Sequence, residues 1–436
     1  MKRPLLPVTL ALALALAAPA LAQEARAPET FALTDAHVHP VSGPAIAGAT
    51  VIVRGGKIRA IGKVAVPGDA HQIDLGGAHL YPGLIDADTV LGLAEIGSVE
   101  GTRDTREVGR INPNLRAEVA LNPDSHLLPV ARTGGVLLAH IAARSGLIAG
   151  TSAVIETQGW TYEDMTLRSP VFLHVRWPTM NVARQGKSKD EVAEALAKRE
   201  EALAAIRGAF REARAYVAAR RSPTSTRARD LKWEAMRPVI APARGQRRVK
   251  VAVHAETQAQ IEAALEWASD EKVAVVLVGG ADAWRLAQKL RDRRIPVILG
   301  RTFRLPRRAH EALDTPYALA GRLHQAGVQI AFSTGGSGFS AANARNLRLH
   351  AAAAVGHGLP RSAALRALTL GAAEILGVQN RVGSLEVGKD ATFFVCDKDV
   401  LDDAAQVTRA WIGGREVKAR GKQLDLYERY RNRPRR

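Results

Sequence analysis

The stretch TDAHVHPVSG (residues 34–43) sets His37 and His39 two positions apart. On a strand, residues i and i+2 share a face, so both imidazoles can reach one divalent ion. The stretch runs directly into GATVIVRGGKIRAIG, which alternates apolar and polar residues and turns at Gly55-Gly56, the pattern of a β-hairpin. His37 and His39 are therefore expected on the face of a small β module, where no ligand from the barrel strands completes a metal site. A further set of side chains stands at or near the ends of short apolar runs: His140, Glu156, His174, His254 and Glu256. If these imidazoles and carboxylates converge, they can ligate a metal or move protons. Taken singly, each reads as a satisfied core histidine or a solvated carboxylate.

These side chains have to be positioned by the elements around them. Apolar runs of strand length occur at 79–88, 135–142, 152–157, 171–177, 249–256, 273–280, 295–300 and 328–334, with helical stretches between several of them. Eight such runs alternating with helices predict a distorted (β/α)8 barrel of TIM type, whose active site lies at the carboxyl ends of the strands. An open doubly wound sheet is the other reading, but no glycine-rich dinucleotide fingerprint follows the first strand. The charged helix at 189–220 is predicted to be an external insertion with a solvated face, within a block spanning about 184–230. Strand-rich, turn-rich sequence returns in VGSLEVGKDATFFVCDKD and RAWIGGREVKARGK. The two chain ends are thus predicted to build one small β-sandwich from 23–80 and 379–436, beside a barrel at 81–378.

Composition narrows the class. The 436 residues are 47% hydrophobic and 24% charged, which excludes a disordered chain. MKRPLLPVTLALALALAAPALAQ has Lys2 and Arg3, an apolar run and the small-x-small site Ala20-Leu21-Ala22, so residues 1–22 read as an export signal. The expected location is periplasmic or secreted, without a membrane anchor; an uncleaved amphipathic helix is the alternative. Cys396 is the only cysteine, so no internal disulfide can form. The formal charge is +18, concentrated in the 184–230 block and in YERYRNRPRR at the C-terminus. Aromatic residues do not interleave the basic runs as single-strand binders require, so solvated helix faces are favoured over nucleic-acid binding.

Three stretches carry a family resemblance: LYPGLIDAD at 80–88, ALTLGAAEILGV at 367–378 and VGSLEVGKDA at 382–391. Together they resemble the amidohydrolase superfamily, in particular its imidazolonepropionase-like and secreted dipeptidase-like branches, over nearly the whole chain. The resemblance implies a barrel with a β-sandwich from both chain ends, and hydrolysis of non-peptide C–N bonds by a metal-activated water. It also implies where ligands should stand. The first barrel strand of the family ends in Asp-x-His-x-His; here Asp86-Ala87 continues to Asp88-Thr89-Val90, so the two ligand positions hold Asp88 and Val90. His254 matches the fifth-strand histidine, Gly279 falls at the sixth-strand position, and the eighth-strand aspartate falls at or next to Gly335. Around the third and fourth strands, Glu156 and His174 are the nearest polar candidates.

Asp88 and His254 alone are fewer than the three protein ligands of a catalytic zinc site. A site rebuilt from His140, Glu156, His174 and Glu256 would be needed to hold zinc or manganese. The loop Ser333–Gly338 either cradles an anion with its backbone N–H groups or is a plain turn. No G-x-S-x-G follows a strand, which argues against a serine nucleophile. Two readings follow: an exported amidohydrolase-type enzyme, or an inactive relative that binds a small molecule in the barrel mouth and pairs in an oligomer with an intact paralogue.

Overall fold

The computed structural model describes residues 30–182, 185–221, 226 and 228–434. The predicted export signal lies outside the described residues. In chain order the N-terminal strands are β1 (Phe31–Val38), β2 (Ile46–Arg54), β3 (Lys57–Gly62), β4 (His71–Asp74) and β5 (His79–Pro82). The middle of the chain supplies β6 (Leu84–Thr89), β7 (Val136–Ile141), β8 (Ile148–Thr151), β9 (Ala153–Glu156) and β10 (Thr166–Arg168). It continues with β11 (Phe172–Arg176), β12 (Lys250–Ala255), β13 (Val275–Gly279), β14 (Val297–Leu299) and β15 (Ile330–Ala331). The C-terminal part adds β16 (Phe393–Cys396), β17 (Val407–Ile412) and β18 (Arg415–Val417).

Both chain ends join in one eight-stranded sheet, ordered β18-β17-β16-β5-β1-β2-β3 with β4 also on β1. The expected hairpin is there: Gly55 and Gly56 take φ values of 59° and 74°, as a turn between β2 and β3 requires. Strand β1 changes partner along its length, running parallel to β4 from Phe31 to Thr34 and parallel to β5 at His37 and Val38. The change coincides with a bulge at Asp35, whose φ of 48° is in the left-handed region.

The apolar run 79–88, read as a single strand, is two. β5 pairs with β16 in the end sheet, while β6 pairs in parallel with β7. The chain crosses between sheets at Gly83, where a Cβ would stand 2.9 Å from the Cβ of Leu137. The middle strands form a four-stranded sheet, β10-β9-β7-β6, and a six-stranded one, β15-β14-β13-β12-β11-β8. Backbone bonds tie the two together: Ala87 N–H donates to Phe332 O at 3.1 Å, and Gly335 N–H donates to Asp88 O at 3.2 Å. At the other margin Ser152 N–H donates to Phe172 O, and Val171 N–H to Ser152 O. The fold is mixed α/β.

Helix Lys189–Arg220 begins at Ser188, whose hydroxyl accepts from Glu191 N–H while the Glu191 carboxylate accepts from Ser188 N–H, a capping box. Its description as an external insertion needs correction. Leu203, Ile206, Phe210, Ala213 and Val217 fall at helical spacing on one face and are buried, and Phe210 meets Trp267 edge-on at 5.0 Å. The many charges of the opposite face obscured this stripe in the sequence.

Candidate functional site

The carboxyl ends of the parallel strands surround a cavity of about 1290 Å³. Asp88 at the end of β6, His254 in β12 and Glu256 just beyond it line this cavity, together with Val90, Gly279 and Gly335. So do six arginines, Arg103, Arg106, Arg144, Arg176, Arg301 and Arg304, against the three carboxylates of Asp88, Glu95 and Glu256.

Arg144 dominates the first of the family's ligand positions. Its two terminal nitrogens donate to the two oxygens of Asp88 at 2.9 and 3.0 Å, a bidentate pair with side chains 12% and 5% exposed. The guanidinium lies against the glycine-rich loop, and any Cβ on Gly336 would fall 2.1 Å from its Cζ. Part of the loop is tied down by hydrogen bonds. Thr334 donates through both its N–H and its hydroxyl to the buried Asp86 carboxyl, and Ser337 caps the short helix Gly338–Ala342. Burial pushes the Asp86 carboxyl up to about 7.

His254 is bonded to His174, Nε2 to Nδ1 at 2.8 Å, one ring donating to the other. Burial, with Arg144 and then Arg176 beside it, holds His254 well below the ordinary histidine range; burial and His254 do the same to His174. Both rings are neutral. His174 and His140 stand behind the cavity and do not line it. His140 donates from Nδ1 to Ala87 O at 2.7 Å and accepts at Nε2 from the Ser152 hydroxyl at 2.7 Å, a fully used core histidine lowered to about 4 by burial. Glu256 accepts Ala281 N–H at 3.0 Å and fills the space beside Gly279, where a Cβ would stand 2.4 Å from its Oε1. Burial raises its carboxyl.

Glu156 is elsewhere. β9 runs antiparallel to β7, with Glu156 opposite Leu138, so its carboxyl end points away from the cavity. Glu156 lines a second cavity with Lys57, Arg132, Arg381, Asp390 and Arg415. The expectation that it joins the barrel mouth assumed a parallel β9, and strand direction is not written in an apolar run.

Several of these side chains are already engaged, while His174 Nε2 is buried with no hydrogen-bond partner. Asp88 has both oxygens on Arg144, His254 has Nε2 on His174, and Val90, Gly279 and Gly335 offer no donor. Three protein ligands and an open position are required of a catalytic zinc site. Arg144 sets a guanidinium against Asp88, which sequence reasoning missed because an arginine three residues past β7 looks like an ordinary surface residue. Among the described residues Arg176, Arg301 and Arg304 have no carboxylate within ion-pairing distance.

His37 and His39 also need correction. They were expected without partner ligands from the barrel strands, yet His79, on β5 of the end sheet, stands across from His37 in the parallel β1–β5 register. One ring nitrogen from each of the three histidines lies within 4.8 Å of the others. His79 carried no signal of its own, because only the change of partner along β1 brings it there.

Known proteins place this architecture. The sequence profile of the Amidohydrolase family matches residues 163–417, more than half of the chain. Amidohydrolase tasK of Hapsidospora irregularis is 26% identical over 382 residues, covering 80% of this chain and 37% of that protein. This chain thus spans little more than a third of that relative's length. An amidohydrolase from Thermotoga maritima MSB8 superposes with a TM-score of 0.77 at 25% identity, over 89% of this chain and 99% of that one. Molinate hydrolase shares the fold with a TM-score of 0.54 at 17% identity, over 91% of this chain and 96% of its own. The chain belongs to the amidohydrolase family.

Proposed function

We propose that this protein is a catalytically silent amidohydrolase whose cavity binds a small anionic molecule. The observation that carries the reading is the bidentate Arg144–Asp88 pair, which puts a permanent cation at a ligand position of the family's metal centre. Arg176, Arg301 and Arg304 line the same cavity and offer donors to a carboxylate or phosphate. In the same reading the two middle sheets close as a (β/α)8 barrel, and the end sheet folds over as a sandwich. The leader sequence supports export to the periplasm or beyond, and a chain without its own metal chemistry is suited to pairing with an intact relative. No helix of the described residues is long and apolar enough to cross a membrane.

The competing reading is a hydrolase of non-peptide C–N bonds, and one observation favours it: His254 faces the cavity in a fold that matches the Thermotoga amidohydrolase. Turnover on lactams, dipeptides and ureas, with zinc or manganese supplied, separates the two. The silent reading expects no turnover above that of Asp88→Ala, and calorimetric binding of small carboxylates that weakens with salt. Turnover that disappears in both Asp88→Ala and His254→Ala would overturn it.

A further inference from the structure

Outside the cavity, the end sheet gathers nitrogen donors with an order the family fold does not require. His37 and His39 share a face of β1 and its extension, and the register puts His79 of β5 directly beside His37. The backbone holds the two segments together at this point: His37 N–H donates to Ala78 O and His39 N–H to Leu80 O, each at 2.9 Å. The three rings stack with centroids 4.7 to 5.1 Å apart. Tyr81 lies flat on His39 at 4.2 Å with planes 10° apart, which fixes that ring. His39 Nε2 and His79 Nδ1 are 2.9 Å apart, one donating to the other.

We propose that His37, His39 and His79 form a binding site for one divalent ion of the zinc class, outside the barrel and independent of it. Among the described residues no other group of three histidines, cysteines or carboxylates brings its ligand atoms so close together. Tetrahedral coordination by imidazole at normal zinc distances sets the nitrogens about 3.3 Å apart. The His39–His79 pair is already near that separation, and a ring nitrogen of His37 lies within 4.8 Å of both. The hydrogen bond between His39 and His79 is replaced by two bonds to the ion, so no ring loses a partner. All-imidazole donors favour zinc, copper(II) or nickel over magnesium or calcium. The three rings are partly exposed, so solvent can supply the fourth ligand. The ion would pin β1 to β5 where β1 leaves β4, a staple across the junction at which the N-terminal strand joins the C-terminal part of the sheet.

Zinc titration of the full chain, produced without a histidine tag, tests the site. One equivalent is expected at micromolar affinity or tighter, with affinity falling by at least about tenfold in His37→Gln, His39→Gln and His79→Gln. His254→Gln is expected to bind as the unaltered chain does. No zinc bound, or zinc bound equally by the three variants, overturns the proposal. Zinc lost in His254→Gln but kept in His39→Gln places the ion in the cavity, which overturns this site and the silent reading together. Where a variant fails to fold, X-ray absorption on the zinc-loaded unaltered chain decides. Three imidazole nitrogens in the first shell support the site, and one imidazole with carboxylate oxygens refutes it.

Discussion

At the cavity mouth the cation is built into the chain. Arg144 grips both oxygens of Asp88, and His254 shares a hydrogen bond with His174. On the end sheet no cation is built in: three imidazoles face one another, the closest two sharing a single hydrogen bond. Both regions bring histidines together on strands. What separates them is a guanidinium held bidentately by a buried carboxylate in one and a third imidazole beside the hydrogen-bonded pair in the other. Histidine content therefore says little about metal binding until the partners of each nitrogen are known.

The largest effect is expected where the comparison is sharpest. Arg144→Ala leaves the Asp88 carboxylate buried without its partner, and stability should fall by about 3 to 5 kcal/mol in chemical denaturation. Arg144→Ala with Asp88→Ala should recover most of that loss, since no lone charge remains. If the single variant is as stable as the unaltered chain, Arg144 is not the fixed cation described here. The histidine face should respond to metal instead. Zinc at a hundred times its dissociation constant should stabilise the unaltered chain by about 2.7 kcal/mol and leave His39→Gln unchanged.

Opposite responses to pH are expected just behind the cavity wall. Asp86 titrates at about 7 when folded, above its ordinary value. Between those values the folded state holds a proton that the unfolded chain has released, so this group's contribution falls as pH rises to about 7 and is flat beyond. His140 sits at about 4 when folded. From there to the ordinary histidine value the unfolded chain takes up a proton that the folded one refuses, so its contribution rises with pH. Asp86→Asn should remove the falling part and His140→Gln the rising part, each by about 2 kcal/mol between about pH 5 and about pH 8. Denaturation curves at the two pH values check both signs.

Much of the frame was legible in the sequence because hydrophobic period and turn chemistry are local. The Gly55-Gly56 hairpin, the apolar runs behind β7, β11, β12 and β13, and the shared β module of the two ends all follow from such patterns. The losses at Val90, Gly279 and Gly335 were legible too, since a missing donor needs no geometry. What the sequence withheld depends on pairing. Glu156 was misplaced because an apolar run does not state its direction, and the run at 79–88 hid a change of sheet at Gly83. His79 lies 40 residues from His39 and meets it only through the parallel β1–β5 register.

The smallest expected effect bears on what the cavity holds. Arg144 is committed to Asp88, whereas Arg304 lines the cavity with no carboxylate in ion-pairing distance among the described residues. A charged hydrogen bond from Arg304 to a bound anion is worth about 1.5 kcal/mol or somewhat more, so Arg304→Ala should weaken carboxylate or phosphate binding by about tenfold. Stability should hardly move, because removing an unpaired cation from a cluster of six also relieves repulsion. Arg304→Lys keeps the charge but loses the planar fork, and its affinity should fall between the two if the anion is gripped bidentately. If Arg304→Lys binds as well as arginine, the cavity offers only a diffuse positive field. Affinity unchanged in Arg304→Ala would move the anion toward Arg103 and Arg106 at the rim.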